Sequence, residues 1–152
     1  MLIGIQGSGK STYAYVMSEE KNIPVISSDK TRDENPTMKE EFIFPELYKR
    51  CAELIKANKD FIYDATNITP KVRKRFFDNM NEYGLTDFNV EAHYFVPDVE
   101  LSKERIIRRN QNPNERYLPI DVVEDYAKNF VAPTMDEGFS KIVKIVHYVH
   151  EN

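Results

Sequence analysis

Cysteine is nearly missing: Cys51 stands alone in 152 residues. No disulfide can form within the chain, and such usage fits a reducing cytoplasm. Cys51 reads as core packing on a helix, since no histidine is suggested as its catalytic partner. Long apolar runs are missing too; none approaches the roughly 18 residues that a membrane span needs. No leader precedes the first apolar segment, which suggests a free-standing cytoplasmic domain with no membrane partner. Excess positive charge is also lacking, because 21 Lys and Arg face 25 Asp and Glu, a net −4. Proteins that grip long duplexes are basic overall, so any polynucleotide contact should be local and short. Repeats, low-complexity tracts and a guanine-reading N-K-x-D element are absent. His93, His147 and His150 show no metal-ligand spacing with Cys51 and read as structural or exposed.

What remains is an ordinary globular composition, 41% hydrophobic and 30% charged, in one domain spanning 1–152. Within it, Gly4-Ile5-Gln6-Gly7-Ser8-Gly9-Lys10-Ser11-Thr12 matches G-x-x-x-x-G-K-[ST], the loop that wraps the phosphates of a nucleoside triphosphate. Glycines let the backbone curl until successive N–H groups point at phosphate oxygens. Gly7, Ser8, Gly9 and Thr12 belong to that cradle. Lys10 can reach the β- and γ-phosphates, and the Ser11 hydroxyl can ligate Mg²⁺. The apolar run Met1–Ile5 before the loop reads as a buried strand, and the breaker-free residues after it read as a helix whose positive end faces the anion. That context is the one the motif requires.

Further elements follow in alternation. Strands are expected at 23–27, 60–64, 89–96 and 141–146, separated by helical patterns. Residues 29–35 read as polar and turn-like. The pattern at 36–59 reads as a helix that Pro45 should interrupt or kink. Thr69-Pro70 reads as an N-cap with proline in the first turn, opening a helix to about Tyr83 that Gly84 stops. Residues 110–118 should form a mobile loop before a helix opened by Pro119 and reaching Phe130. Strands alternating with helices predict an α/β fold, a parallel sheet of about five strands flanked by helices. In such sheets ligands bind beyond the carboxyl ends of the strands. Residues 4–11, Asp29 and Asp64 fall at those ends and should line one crevice.

Several residues carry two readings. Asp29 is a candidate to orient or deprotonate an acceptor hydroxyl, or else a helix N-cap. Arg32 is an anion contact or a solvated turn residue. Asp64 is a site carboxylate or a structural acceptor, and Thr66-Asn67 shape the site or cap the next helix. The basic run 71–75 reads as a solvated helix face. Phe76, Phe77 and Tyr83 recur at helical spacing and read as core.

Four blocks together resemble the polynucleotide 5′-kinase group of P-loop phosphotransferases. These are the phosphate loop, Ser27-Ser28-Asp29-Lys30-Thr31-Arg32, Asp64-Ala65-Thr66-Asn67 before Thr69-Pro70, and the stretch from Arg108-Arg109-Asn110 through Arg116 to Leu118-Pro119 and on to Glu137-Gly138-Phe139. The resemblance implies ATP as donor, Mg²⁺, and the 5′-hydroxyl end of short or single-stranded RNA or DNA as acceptor. It casts Asp29 as general base, Arg32 as the contact to the acceptor's adjoining phosphate, and Asp64, Thr66 and Asn67 as shaping the acceptor side or ordering water around Mg²⁺. A mobile lid at about 108–130 would close Arg116, and with it Arg109, over the donor phosphates. The family commonly spaces two lid arginines one helical turn apart, whereas here Pro113 follows Arg109 by four residues; Arg116 is the preferred clamp because it lies within the loop. These residues are not expected to include the family's phosphatase or ligase modules, so a separate phosphatase or ligase is a partner to look for. Two other readings stay open: a kinase of a small metabolite, nucleoside or nucleotide, and a nucleotide-dependent regulatory or binding module.

Overall fold

The computed structural model describes residues 1–146 and 148. The reading of His147 and His150 lies outside them. Five strands form the sheet: β1 (Leu2–Ile3), β2 (Val25–Ser27), β3 (Ile62–Asp64), β4 (Glu91–Phe95) and β5 (Lys141–Ile145). All are parallel, in the order β2-β3-β1-β4-β5. The helices are α1 (Lys10–Lys21), α2 (Ser28–Glu34), α3 (Ile43–Lys56), α4 (Pro70–Glu82), α5 (Val99–Asn110) and α6 (Asp121–Asn129).

Period-two alternation along the strands splits the core into two layers. Leu2, Ile62 and Val25 pack with Ala14 and Met17 of α1 on one face. Ile3, Ile26, Tyr63 and Ala92 pack on the other face against the stripe Ile43, Leu47, Tyr48, Cys51, Ala52 of α3 and against Phe76 and Met80 of α4. Each fully buried Leu or Ile there is worth about 1.5–3 kcal/mol. β1 and β3 are neighbours, yet the chain leaves β1 for the α1 face and β3 for the α4 face. Their carboxyl ends therefore open a crevice at the point of divergence, where ligands of such sheets sit.

A third apolar cluster closes one side of that crevice. Ile106 of α5 and Val123 of α6 pack with Ile5 of the phosphate loop and Ile68, so the α5–α6 pair rests on the loop itself.

Three expectations need correction. Residues 28–34 form a helix, not a turn, because Ser27 caps it: its hydroxyl accepts from Lys30 N at 3.2 Å. The helix expected from residue 36 starts only at Ile43, after a 3-10 turn over Glu40–Phe42, which puts Pro45 in the first turn where its missing N–H costs nothing. Tyr83 is exposed rather than core, with the Lys56 ammonium 5.4 Å from its ring centre. Thr69 does cap α4, accepting from Val72 N at 3.3 Å. Gly84 does end it, at φ 78°, with Leu85 N donating to Met80 O at 2.9 Å.

Candidate active site

The phosphate loop is held from three sides. Gly4 N donates to Thr66 O at 2.9 Å, which ties the loop to the segment after β3. Gly7 sits at φ 74° against α5, and a Cβ there would lie 2.6 Å from the Ser102 carbonyl oxygen. Arg105 Nη1 donates to Gly7 O at 3.2 Å. Gly9, at φ 98°, is the N-cap of α1 and offers no side chain to its first-turn N–H groups. Those donors and the helix dipole are thus left to face an anion. The Ser8 hydroxyl and Gln6 Oε1 are buried here without a hydrogen-bond partner among the described residues. Such a loop fits the phosphates of a nucleotide.

Lys10 Nζ donates to Ile5 O at 3.3 Å. Burial lowers its pKa, with Asp64 and then Asp29 pulling the other way. Asp64, buried at the end of β3, has its pKa raised by burial, against the pull of Lys10. Lys10, Asp64 and Asp29 therefore share one electrostatic neighbourhood, as their positions at strand ends predict.

Asp29 lies in the first turn of α2 and stands between two guanidiniums. Arg32 Nη1 donates to its Oδ1 at 3.0 Å, and Arg116 Nη2 lies 2.6 Å from the same oxygen. Burial raises the Asp29 pKa, but Arg116, Arg32 and Lys10 outweigh it and hold the carboxyl below its ordinary value. Arg32 turns its other edge to Glu40, with Nη2 2.6 Å from Oε1 and Nε 3.0 Å from it. Arg116 comes from the loop between α5 and α6 and brings that loop to Asp29. Asn110 fastens that loop: its Nδ2 donates to Leu118 O at 2.7 Å, and its Oδ1 accepts from Leu118 N at 2.9 Å. Arg109, in the last turn of α5, faces Glu115 of the same loop at 3.6 Å.

The other predicted site residues differ in exposure and in what they touch. Ser11 and Thr12 are exposed at the start of α1. Thr66 meets the loop through its carbonyl, as above. Asn67 is buried at φ 49°, its Nδ2 donating to Leu2 O at 2.9 Å and Ala65 O at 3.3 Å. It ties β1 to the segment just after β3, and Thr69, not Thr66 or Asn67, caps α4.

Two partners escaped the sequence reading. Glu40 gave no local signal, being eight residues from Arg32. Arg73 belongs to the run read as solvated, yet it is fully buried, while Lys71, Lys74 and Arg75 are exposed. Its Nε and Nη2 donate to Glu137 at 2.7 and 3.1 Å, and its Nη1 to Asn67 O at 2.9 Å and Val131 O at 3.0 Å. The signal was there: Arg73 shares the i, i+3, i+7 stripe of Phe76 and Met80.

Comparison with known proteins agrees with this architecture. Residues 1–133 match the family described as AAA domain. A bifunctional polynucleotide phosphatase/kinase from Schizosaccharomyces pombe is 25% identical over 145 residues, which cover 95% of this chain but 32% of that protein. The chain thus spans well under half of that relative's length. Among solved structures, a putative kinase from Chloroflexus aurantiacus superposes with a TM-score of 0.72 at 16% identity, covering 95% of this chain and 85% of that one. A gluconokinase from Sinorhizobium meliloti gives 0.64 at 13% identity, over 98% and 82%. At those identities the two structures speak for the fold.

Proposed function

The chain belongs to the AAA domain family, and on that premise we propose that this P-loop kinase-type domain transfers the γ-phosphoryl of ATP to the 5′-hydroxyl of an RNA or DNA end. The observation that carries the reading is Asp29, paired at once with Arg32 and with Arg116 of the lid. Phosphoryl transfer asks little covalent chemistry of a protein; it asks for positioning and for charge to be neutralised. The loop N–H groups of residues 7–12 and Lys10 hold the donor phosphates. Asp29, ionised at neutral pH because its neighbours are cationic, accepts the proton of the acceptor hydroxyl. Arg32 binds the phosphate next to that hydroxyl. Arg116, with Arg109 behind it, closes from the lid over the transferring group.

Ser11 and Asp64 would hold Mg²⁺, which supplies charge neutralisation at the phosphates. Among the described residues no three His, Cys, Asp or Glu side chains converge as a metal cage. An ion here would share its ligands with phosphate oxygens and water, as Mg²⁺ commonly does. Relatedness to a protein named for polynucleotide phosphatase and kinase activity supports the nucleic-acid acceptor. A second reading, a kinase of a small metabolite, draws on the net charge of −4 and the gluconokinase-like fold. Among the described residues no helix is long and apolar enough to cross a membrane.

The test is transfer from γ-labelled ATP with Mg²⁺ to 5′-hydroxyl oligonucleotides, 3′-phosphorylated nucleosides, nucleosides and sugars. Label is expected on the first two; label on sugars alone, or free phosphate alone, overturns the reading. Asp29→Ala should lower transfer by about 10²–10⁴-fold with ATP binding kept.

A further inference from the structure

We propose that Glu40 is an internal competitor for the acceptor's phosphate, a carboxylate seated on the edge of Arg32 that the phosphate takes in the reaction. The inference rests on the role given to Arg32 above. A guanidinium offers forked pairs of N–H donors that fit carboxylate and phosphate alike. Glu40 fills one such fork, with Arg32 Nε at 3.0 and 3.1 Å from its two oxygens and Nη2 at 2.6 Å. Asp29 takes Nη1 at 3.0 Å. All three nitrogens of this guanidinium thus already face a carboxylate, and an arriving phosphate would find no forked pair of donors open on it. One carboxylate has to leave.

Glu40 is the one placed to do so. Its side chain is 69% exposed, against 51% for Asp29, and it sits on a short 3-10 turn at the surface. An ion pair that exposed is cheap to break. Asp29 also has Arg116 as a second partner. Departure of Glu40 would not release Arg32, because the Phe44 ring lies 5.9 Å beneath the guanidinium carbon and Asp29 still holds Nη1. Glu40 thereby weakens the grip on phosphate-bearing acceptors, and on the product end that keeps the same phosphate, without touching acceptors that lack one.

Glu40→Gln keeps the shape and removes the charge, at an exposed site where folding is not at risk. Calorimetric titration of the wild type and the variant, both saturated with ADP and Mg²⁺, would use adenosine 3′-monophosphate and adenosine as probes. The expected result is a Kd for adenosine 3′-monophosphate about three- to tenfold lower in Glu40→Gln, with adenosine unmoved. An unchanged or higher Kd, an equal gain for adenosine, or no measurable binding of the phosphate to either protein overturns the proposal. The labelled-ATP assay is read separately. A binding gain without transfer to any 5′-hydroxyl would sink the kinase reading and leave the competition by Glu40 standing.

Discussion

Arg73 has all three guanidinium nitrogens engaged inside the protein, two on Glu137 and one on the carbonyls of Asn67 and Val131. Taking away one member of a buried pair leaves the other charged and unsatisfied, at a cost of about 3–5 kcal/mol. Arg73→Ala should lower stability by about that much in urea unfolding at pH 7, a large share of a domain's usual 5–15 kcal/mol. Arg73→Lys keeps the charge but not the fork, and should fall between Ala and wild type. Equal stabilities for all three would contradict the burial. Burial raises the Glu137 pKa, but Arg73 and the Thr134 N–H reverse it, so the folded value lies below the unfolded one. Its contribution is therefore present above the ordinary carboxylate range and fades as pH falls through the lowered folded value. Asp29 with Arg32 was legible because the pair is three residues apart; Glu40 and Glu137 meet their arginines across gaps that no local pattern reveals.

Among the elements, the long helices and the strands were read from their apolar periods, whereas α2 was not. Its seven residues, SDKTRDE, hold no apolar side chain, so no stripe announces it; only Ser28 and Thr31 are buried, and Ser27 supplies the start signal. Residues 110–118 were read as loop from Pro113 and their polarity. The fastening by Asn110 was hidden, since an asparagine at a helix end ordinarily signals only a stop. Asn110→Ala removes both hydrogen bonds to Leu118, each worth about 1 kcal/mol net. The loop should then be cleaved faster by protease between residues 111 and 117, and any step that needs Arg116 in place should slow by roughly tenfold. Unaltered cleavage and unaltered transfer would mean that Asn110 does not order the loop.

On the scale of the whole molecule, an α/β sheet of about five parallel strands was expected and is what the chain forms, because alternation of short apolar runs with helical patterns leaves few other solutions. Strand order was not read, as period two says which face a residue takes but not which strand lies beside it. Cys51 samples the core of this assembly. It is fully buried, and burial pushes its thiol up to about 12. At neutral pH it should resist thiol reagents in the folded protein and react across the same urea range in which the circular dichroism is lost. Fast labelling in native buffer would show that the α3 face is not packed as described.

The ties around the phosphate loop set a timetable for a nascent chain. Gly4 to Ser11 leave the ribosome well before their supports: Thr66 for the Gly4 N–H, then Ser102, Arg105 and Ile106 of α5. β1 lies between β3 and β4, so it too waits with both edges bare until residues 62–64 and 91–95 are made. Nucleotide binding should accordingly be an all-or-none property of translation, absent from chains stalled before α5, and ATP would act on the finished fold rather than guide its assembly.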